Sequence, residues 1–155
     1  MSGTVEARLK SLGLELPVPA APIANYVPYT VSGSIAVISG QIPFRDGKLH
    51  HIGKLGGGMS IEDGQEAAKL CALNILAQLK AAAGGDLDRV RRCLRLGGFV
   101  NSTPDFTQQP QVVNGASDLM VAVFGDAGRH ARTAVGVGSL PGGVAVEVEA
   151  MFELV

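Results

Sequence analysis

Residues 130–154, HARTAVGVGSLPGGVAVEVEAMFEL, constrain the fold more than any other stretch of the chain. Thr133, Val135 and Val137 alternate before Leu140-Pro141-Gly142-Gly143, and Val146, Val148, Ala150, Phe152 and Leu154 alternate after it. Period-2 alternation on both sides of a Pro-Gly-Gly turn predicts two strands joined as a hairpin. A turn centred between Pro141 and Gly142 pairs Gly136 with Glu147. Opposed residues share a face, which puts Arg132, Ala134, Gly136 and Gly138 beside Glu147 and Glu149. Four residues of strand separate Arg132 from Gly136, roughly 13 Å at about 3.3 Å per residue. A small molecule could lie between the guanidinium and the carboxylate. The guanidinium fork suits a carboxylate ligand, and a glutamate within reach of water suits a general base. The competing reading is a solvated strand face whose charges keep a sheet edge soluble.

Composition narrows the classes. The 155 residues fit one domain with a substantial core. Charged residues make up 17% and apolar residues 46%, against about 25% charged in ordinary soluble domains. A surface so short of charge is expected to be covered in part by sister subunits. The net charge of −1 supplies no global field for nucleic acid. No apolar run approaches the roughly 20 residues that span a bilayer. The segment MSGTVEARLK has no secretory h-region, so a cytoplasmic location is expected. Cys71 and Cys93 sit in apolar patterns outside any CxxC setting, as buried, reduced thiols do.

In chain order, Val5, Leu9 and Leu12 predict a short amphipathic helix behind a Thr4 cap, followed by a stiff connector at Pro17, Pro19 and Pro22. Residues 1–21 are thus an N-terminal helical arm and proline-rich connector, and residues 22–155 the main domain. Strands are expected around Tyr29–Val31 and Ser34–Ile42, with a turn at Arg45–Lys48. Gly56-Gly57-Gly58 could present backbone N–H groups to an anion, although a flexible loop is the plainer reading. Ser60-Ile61-Glu62-Asp63 caps a helix through about Ala83, ended by Gly84-Gly85. Its stripe is Ala68, Cys71, Ile75 and Leu79, and Asn74 mid-helix predicts a side-chain bond to a neighbouring element. Arg89, Arg91, Arg92 and Arg95 open the next strand without interleaved aromatics, as an ion-pairing face does and a single-strand binder does not. A second helix from about Pro110 to Phe124 aligns Val112, Ala116, Leu119 and Val123. Strands, helix, strand, helix and two strands describe an α+β chain with two main helices on one face of a mixed sheet, plus the short N-terminal helix.

With these residues in hand, the chain resembles the reactive-intermediate deaminase family, also called the YjgF family. Pro28-Tyr29 with Ser39-Gly40-Gln41-Ile42-Pro43 is similar to its PYS…SGQIP opening. Leu73-Asn74-Ile75 is similar to its ALxNI helix pattern, and Phe99-Val100, Asp105-Phe106 and Asn114 to its middle. Ala131-Arg132-Thr133-Ala134-Val135, Leu140-Pro141 and Val146-Glu147-Val148-Glu149-Ala150 are similar to its ARxxV…LP…vEIEA ending. The resemblance implies a chorismate-mutase-like α+β fold and a homotrimer with clefts lined by neighbouring subunits. It also implies hydrolysis of enamines and imines, such as 2-aminoacrylate, to 2-keto acids and ammonia. By position, Arg132 is implied as the carboxylate anchor and Glu147 as the residue that activates water. Tyr29, Ser39, Gly40 and Asn114 are implied as further substrate-binding residues. Where typical members carry SCVEVARLP after the arginine, this chain has TAVGVGSLP, so Ala134 replaces a cysteine, Gly136 a glutamate and Ser139 an arginine.

The leading expectation is therefore an enamine/imine deaminase acting on a small carboxylate, with no metal and no organic cofactor. His50, His51 and His130 are expected as surface histidines. The alternative is a non-catalytic binder of small carboxylates, or a chaperone-like protein, using the same intersubunit cleft. Endoribonuclease action is disfavoured, since no paired-histidine arrangement and no positive field support it, and nucleic acid and membrane are not expected partners.

Overall fold

The computed structural model describes residues 3–19, 21 and 24–155. Pro22, at the expected connector and domain boundary, lies outside them. The short helix α1 (Thr4–Ser11) comes first. Strands β1 (Tyr29–Ser32) and β2 (Ile35–Gln41) follow, then the hairpin β3 (Phe44–Arg45) and β4 (Lys48–Leu49), and helix α2 (Ile61–Ala82). The chain continues as β5 (Val90–Asn101), α3 (Gln109–Phe124), β6 (Ala131–Val137) and β7 (Val146–Leu154). The main sheet has the order β1-β2-β7-β5-β6. Its pairs are antiparallel except β5 with β6, which run parallel. Parallel neighbours need a crossover, and α3 supplies it. Two main helices and a mixed sheet make this an α+β fold, as expected.

Both helices cover one face of the sheet. Ala36 and Ile38 of β2, Val146, Val148, Ala150 and Phe152 of β7, and Leu96 and Val100 of β5 are buried there. Ala68, Cys71, Ile75 and Leu79 meet them from α2, each fully buried. Ser60 accepts the Asp63 N–H and caps α2, while Gly84 and Gly85 end it with φ of 71° and 94°. Asn74 does what its mid-helix position predicts: its amide donates to the Ile42 and Phe44 carbonyls, both at 2.9 Å. That ties α2 to the segment leaving β2. The two thiols are buried and unbonded to each other. Burial raises the Cys71 thiol and pushes Cys93 up to about 12.

Three expectations need correction. Thr4 does not cap α1 but is its first helical residue; the Asp88 carboxylate accepts the Thr4 and Val5 N–H groups at 2.8 and 2.9 Å. An anion at a helix N-terminus also meets the positive end of the dipole. Beyond that end, Leu9 is buried in the core cluster and Glu6 pairs with Lys80. Within the glycine run, Gly57 spends its N–H on the Lys54 carbonyl, which the next residue after the run, Met59, also reaches, so the run turns in on itself rather than presenting a row of donors.

The third correction concerns the hairpin. β6 and β7 do not pair; β5 lies between them. Pro141–Gly143 form a 3-10 turn inside a longer crossing segment. That segment satisfies its backbone groups elsewhere: Gly53 N–H donates to the Gly143 carbonyl, Ala145 N–H to His51, and Asn101 N–H to Ala145. With β5 interposed, Gly136 lines up through Val100 with Val146 rather than Glu147. A one-residue slip exchanges the faces of a strand. Arg132 and Ala134 therefore lie on the helix-covered face with Leu96 and Gly98, whereas Glu147 and Glu149 lie on the open face with Phe99 and Gly97.

Candidate functional site

The expected site residues fall into two groups. Asn114 and Arg132 form the first, where α3 passes over the edge strand β6. Gly98 allows that passage, because a Cβ there would come within 2.6 Å of both Val113 methyl groups. Asn114 and Ser117, three residues apart, share one helix surface. Arg132 Nη1 donates to Asn114 Oδ1 at 2.8 Å and to Ser117 Oγ at 3.1 Å. Both Nη1 protons are thus used. A guanidinium has five N–H donors, so the Nε proton and the two on Nη2 remain, along one contiguous edge. Among the described residues no hydrogen bond or ion pair is formed by that edge. Arg132 is only half-buried. A half-buried fork with a free edge is suited to a planar carboxylate.

Ser39, Gly40 and Glu147 form the second group, around β2 and β7, while Tyr29 of β1 stands apart on the helix-covered face. The β2 register shifts between Ile38 and Gln41, at Ser39 and Gly40. Ser39 is fixed by two bonds: its N–H donates to the Pro28 carbonyl at 2.9 Å, and its hydroxyl to Val27 at 2.8 Å. The Glu147 carboxylate lies directly against Gly40, where a Cβ would overlap Oε2 and approach Cδ at 3.0 Å. Glycine here leaves room for the carboxylate in its present position, and any larger residue would displace it. Desolvation first, and then the neighbouring Glu149 charge, raise the Glu147 carboxyl above its ordinary value of 4.5. Such a group is a better base than an exposed glutamate once ionised. Tyr29 sits opposite Ile38 and packs against the core side of the sheet.

Within one chain the two groups are apart. Two strand spacings and three residues of offset put Arg132 and Glu147 about 14 Å from each other, on opposite faces. A cavity of 850 Å³ between residues 13–19, the β3–β4 hairpin and α2 is lined by neither residue. The described residues contain no cluster of three or more His, Cys, Asp or Glu suited to a metal ion.

Two residues of the first group escaped the sequence reading. His130, expected on the surface, is half-buried, and its Nε2 lies 2.9 Å from Ser117 Oγ. The available signal was positional: His130 and Arg132 alternate on one strand face, and Asn114 and Ser117 are i, i+3 on one helix. The basic cluster at the start of β5 is engaged, Arg95 with Glu149 at 3.5 Å, Arg91 with Glu153 at 4.0 Å, and Arg92 and the preceding Arg89 with backbone carbonyls.

Comparison with known proteins agrees with this architecture. Residues 6–150 match the family described as "YjgF/chorismate_mutase-like, putative endoribonuclease". The chain is 53% identical to Protein TCP17 of Trypanosoma cruzi, over 99% of this chain and 96% of that one. The protein Atu1372 of Agrobacterium tumefaciens superposes with a TM-score of 0.91 at 50% identity, covering 97% of this chain and 92% of the other. A "putative endoribonuclease" of Shewanella oneidensis superposes with a TM-score of 0.93 at 40% identity, covering 98% and 100%. With nearly its whole length matched in sequence and in fold, the chain belongs to the YjgF/chorismate-mutase-like family.

Proposed function

We propose that this protein hydrolyses small enamines and imines of the 2-aminoacrylate type to 2-keto acids and ammonia, in a cleft completed by a second copy of the chain. The observation that carries the reading is the Arg132 guanidinium, anchored through Nη1 and free along Nε and Nη2. It takes the substrate carboxylate side-on. Glu147, Ser39 and Gly40 of a neighbouring subunit supply the other wall. Separation of the two groups onto opposite faces favours this shared cleft, since one chain alone cannot close on so small a substrate. The open face favours association too: Val135, paired with Phe99, is 40% exposed, and Val37 on β2 is 41% exposed. The assembly is a homotrimer, and light scattering that gives a concentration-independent monomer rules out the shared cleft.

The chemistry asks little of the protein. The enamine tautomerises to the imine, taking a proton at its terminal carbon and losing one from its nitrogen. Water then adds to the imine carbon as the Glu147 carboxylate takes its proton. Glu147 returns that proton to the nitrogen, and the resulting carbinolamine collapses to the keto acid as its hydroxyl proton passes through Glu147 to the nitrogen, which leaves as ammonia. Orientation by Arg132 plus one base suffices for so labile a substrate. Ribonuclease action is not favoured, because the basic side chains at the start of β5 are held by Glu149, Glu153 and backbone carbonyls.

Arg132→Ala and Glu147→Gln test the reading. A charge-assisted hydrogen bond contributes about 1.5–3 kcal/mol, so Arg132→Ala weakens binding of pyruvate by roughly one to two decades. Glu147→Gln retains pyruvate binding and slows hydrolysis of 2-aminoacrylate generated in situ. A wild type that binds pyruvate yet hydrolyses no imine replaces the enzyme with a carboxylate binder. An Arg132→Ala variant that binds as tightly as wild type removes the site itself.

A further inference from the structure

Behind Arg132 runs a chain of hydrogen bonds that the proposed reaction does not use. His130 Nδ1 lies 2.6 Å from the Gly128 carbonyl oxygen, which can only accept, so Nδ1 carries a proton. In the neutral ring Nε2 then holds a bare lone pair, and the Ser117 hydroxyl 2.9 Å away donates to it. The same Oγ has a lone pair left for Arg132 Nη1 at 3.1 Å. Every direction is fixed: the guanidinium donates to serine, serine to histidine, and histidine to the Gly128 carbonyl. Successive bonds of this kind polarise one another. Gly128 is itself buried so closely against α3 that a Cβ there would overlap the Met120 carbonyl. The chain thus ends on buried, close-packed backbone.

Resting on the carboxylate-binding reading, we propose that Ser117 and His130 are positioning residues that lock Arg132 so that only its Nε–Nη2 edge is offered to a planar carboxylate. Asn114 alone takes one Nη1 proton and leaves the guanidinium free to swing about that bond; Ser117 takes the second and fixes the plane. His130 in turn fixes Ser117, whose hydroxyl would otherwise rotate. Ordering a long side chain on binding costs affinity, and an arginine ordered beforehand avoids most of that cost. Loss of the lock therefore weakens carboxylate binding by roughly 2- to 10-fold. Its effect falls on KM, with kcat near wild type, because Glu147 is untouched.

The test separates this role from a merely structural one through paired variants. In His130→Asn the amide can still donate to Gly128 but does not reach Ser117. In His130→Gln the carbonyl can take the place of Nε2 and accept from Ser117. Ser117→Ala breaks the relay, and Ser117→Thr keeps its hydroxyl. Pyruvate affinity, KM and kcat for imine hydrolysis, and the Arg132 side-chain nitrogen resonances of the ligand-free protein are measured for each, with circular dichroism as the folding control. Ser117→Ala and His130→Asn should lose affinity and average the Nη signals that wild type resolves, while His130→Gln and Ser117→Thr behave as wild type. Equal loss in His130→Asn and His130→Gln, or an Arg132 as ordered in Ser117→Ala as in wild type, overturns the lock. If the wild type neither binds pyruvate nor hydrolyses an imine, the functional reading fails, and the resonances of the free protein still decide the lock.

Discussion

Gly115→Ala sets helix propensity against packing at the place where α2 and α3 cross. The glycine sits inside α3, where alanine is favoured over glycine by about 1 kcal/mol. A Cβ at that position, however, would come within 2.8 and 2.9 Å of the Gln65 carbonyl carbon and Cα, and closer still to its oxygen. Backbone does not yield as a side-chain tip does, so the helices must separate by about 1 Å. A gap of that size forfeits a quarter to a half of each dispersion contact across the crossing. Overpacking of this kind costs about 1–3 kcal/mol. Against the propensity gain, a net loss of up to about 2 kcal/mol is expected, since both helices contribute to the core cluster, Ala68 and Ala72 from α2 and Val112 and Ala116 from α3. Urea unfolding at one fixed chain concentration reads it. Because Asn114 adjoins Gly115, displacement of α3 should also loosen Arg132 and weaken pyruvate binding. A variant stabilised by the full helix-propensity increment, with pyruvate affinity intact, would refute the claim that the crossing is held by backbone contact.

Two further outcomes follow from single residues. Leu9→Ala should destabilise the protein by about 2–4 kcal/mol in urea, because Leu9 is buried in the core cluster; a change below about 0.5 kcal/mol would mean that the arm rests on the core without belonging to it. Glu147 gives a pH signature. Its carboxyl is raised in the folded chain, so the native state binds the proton more tightly than the unfolded state does. Its favourable share is present below the unfolded value near 4.5 and is lost as pH rises through the folded value. Glu147→Gln should therefore match wild type at low pH and become the more stable protein as pH rises through that window. Parallel stability curves across the window would show that the carboxylate is not strained by its surroundings.

Much of the fold was legible because it rests on local periodicity. The alternation of Val146, Val148, Ala150, Phe152 and Leu154 marks a strand with one buried face, and the structure buries all five. Ser60 and Gly84-Gly85 mark both ends of α2, and Asn74 announces a tertiary hydrogen bond. These signals need only the residues next to them along the chain. The site's residue types were legible in the same way, since an arginine and a glutamate on strands facing little bulk suit an anion and a water.

Strand order was decided only in three dimensions. A Pro-Gly-Gly segment closes a hairpin or begins a crossing segment equally well; the choice was made by β5, whose two edges pair with β6 and β7 at once. Period 2 fixes which residues of one strand share a face, but the relation between strands depends on hydrogen bonds between distant segments. That is why Arg132 and Glu147, expected on one face of a hairpin, occupy opposite faces of the sheet. The lock behind Arg132 lay outside sequence reasoning for the same reason. His130 is an ordinary polar residue beside Arg132 until the fold of α3 brings Ser117 over it, and only then do its two ring nitrogens acquire fixed roles.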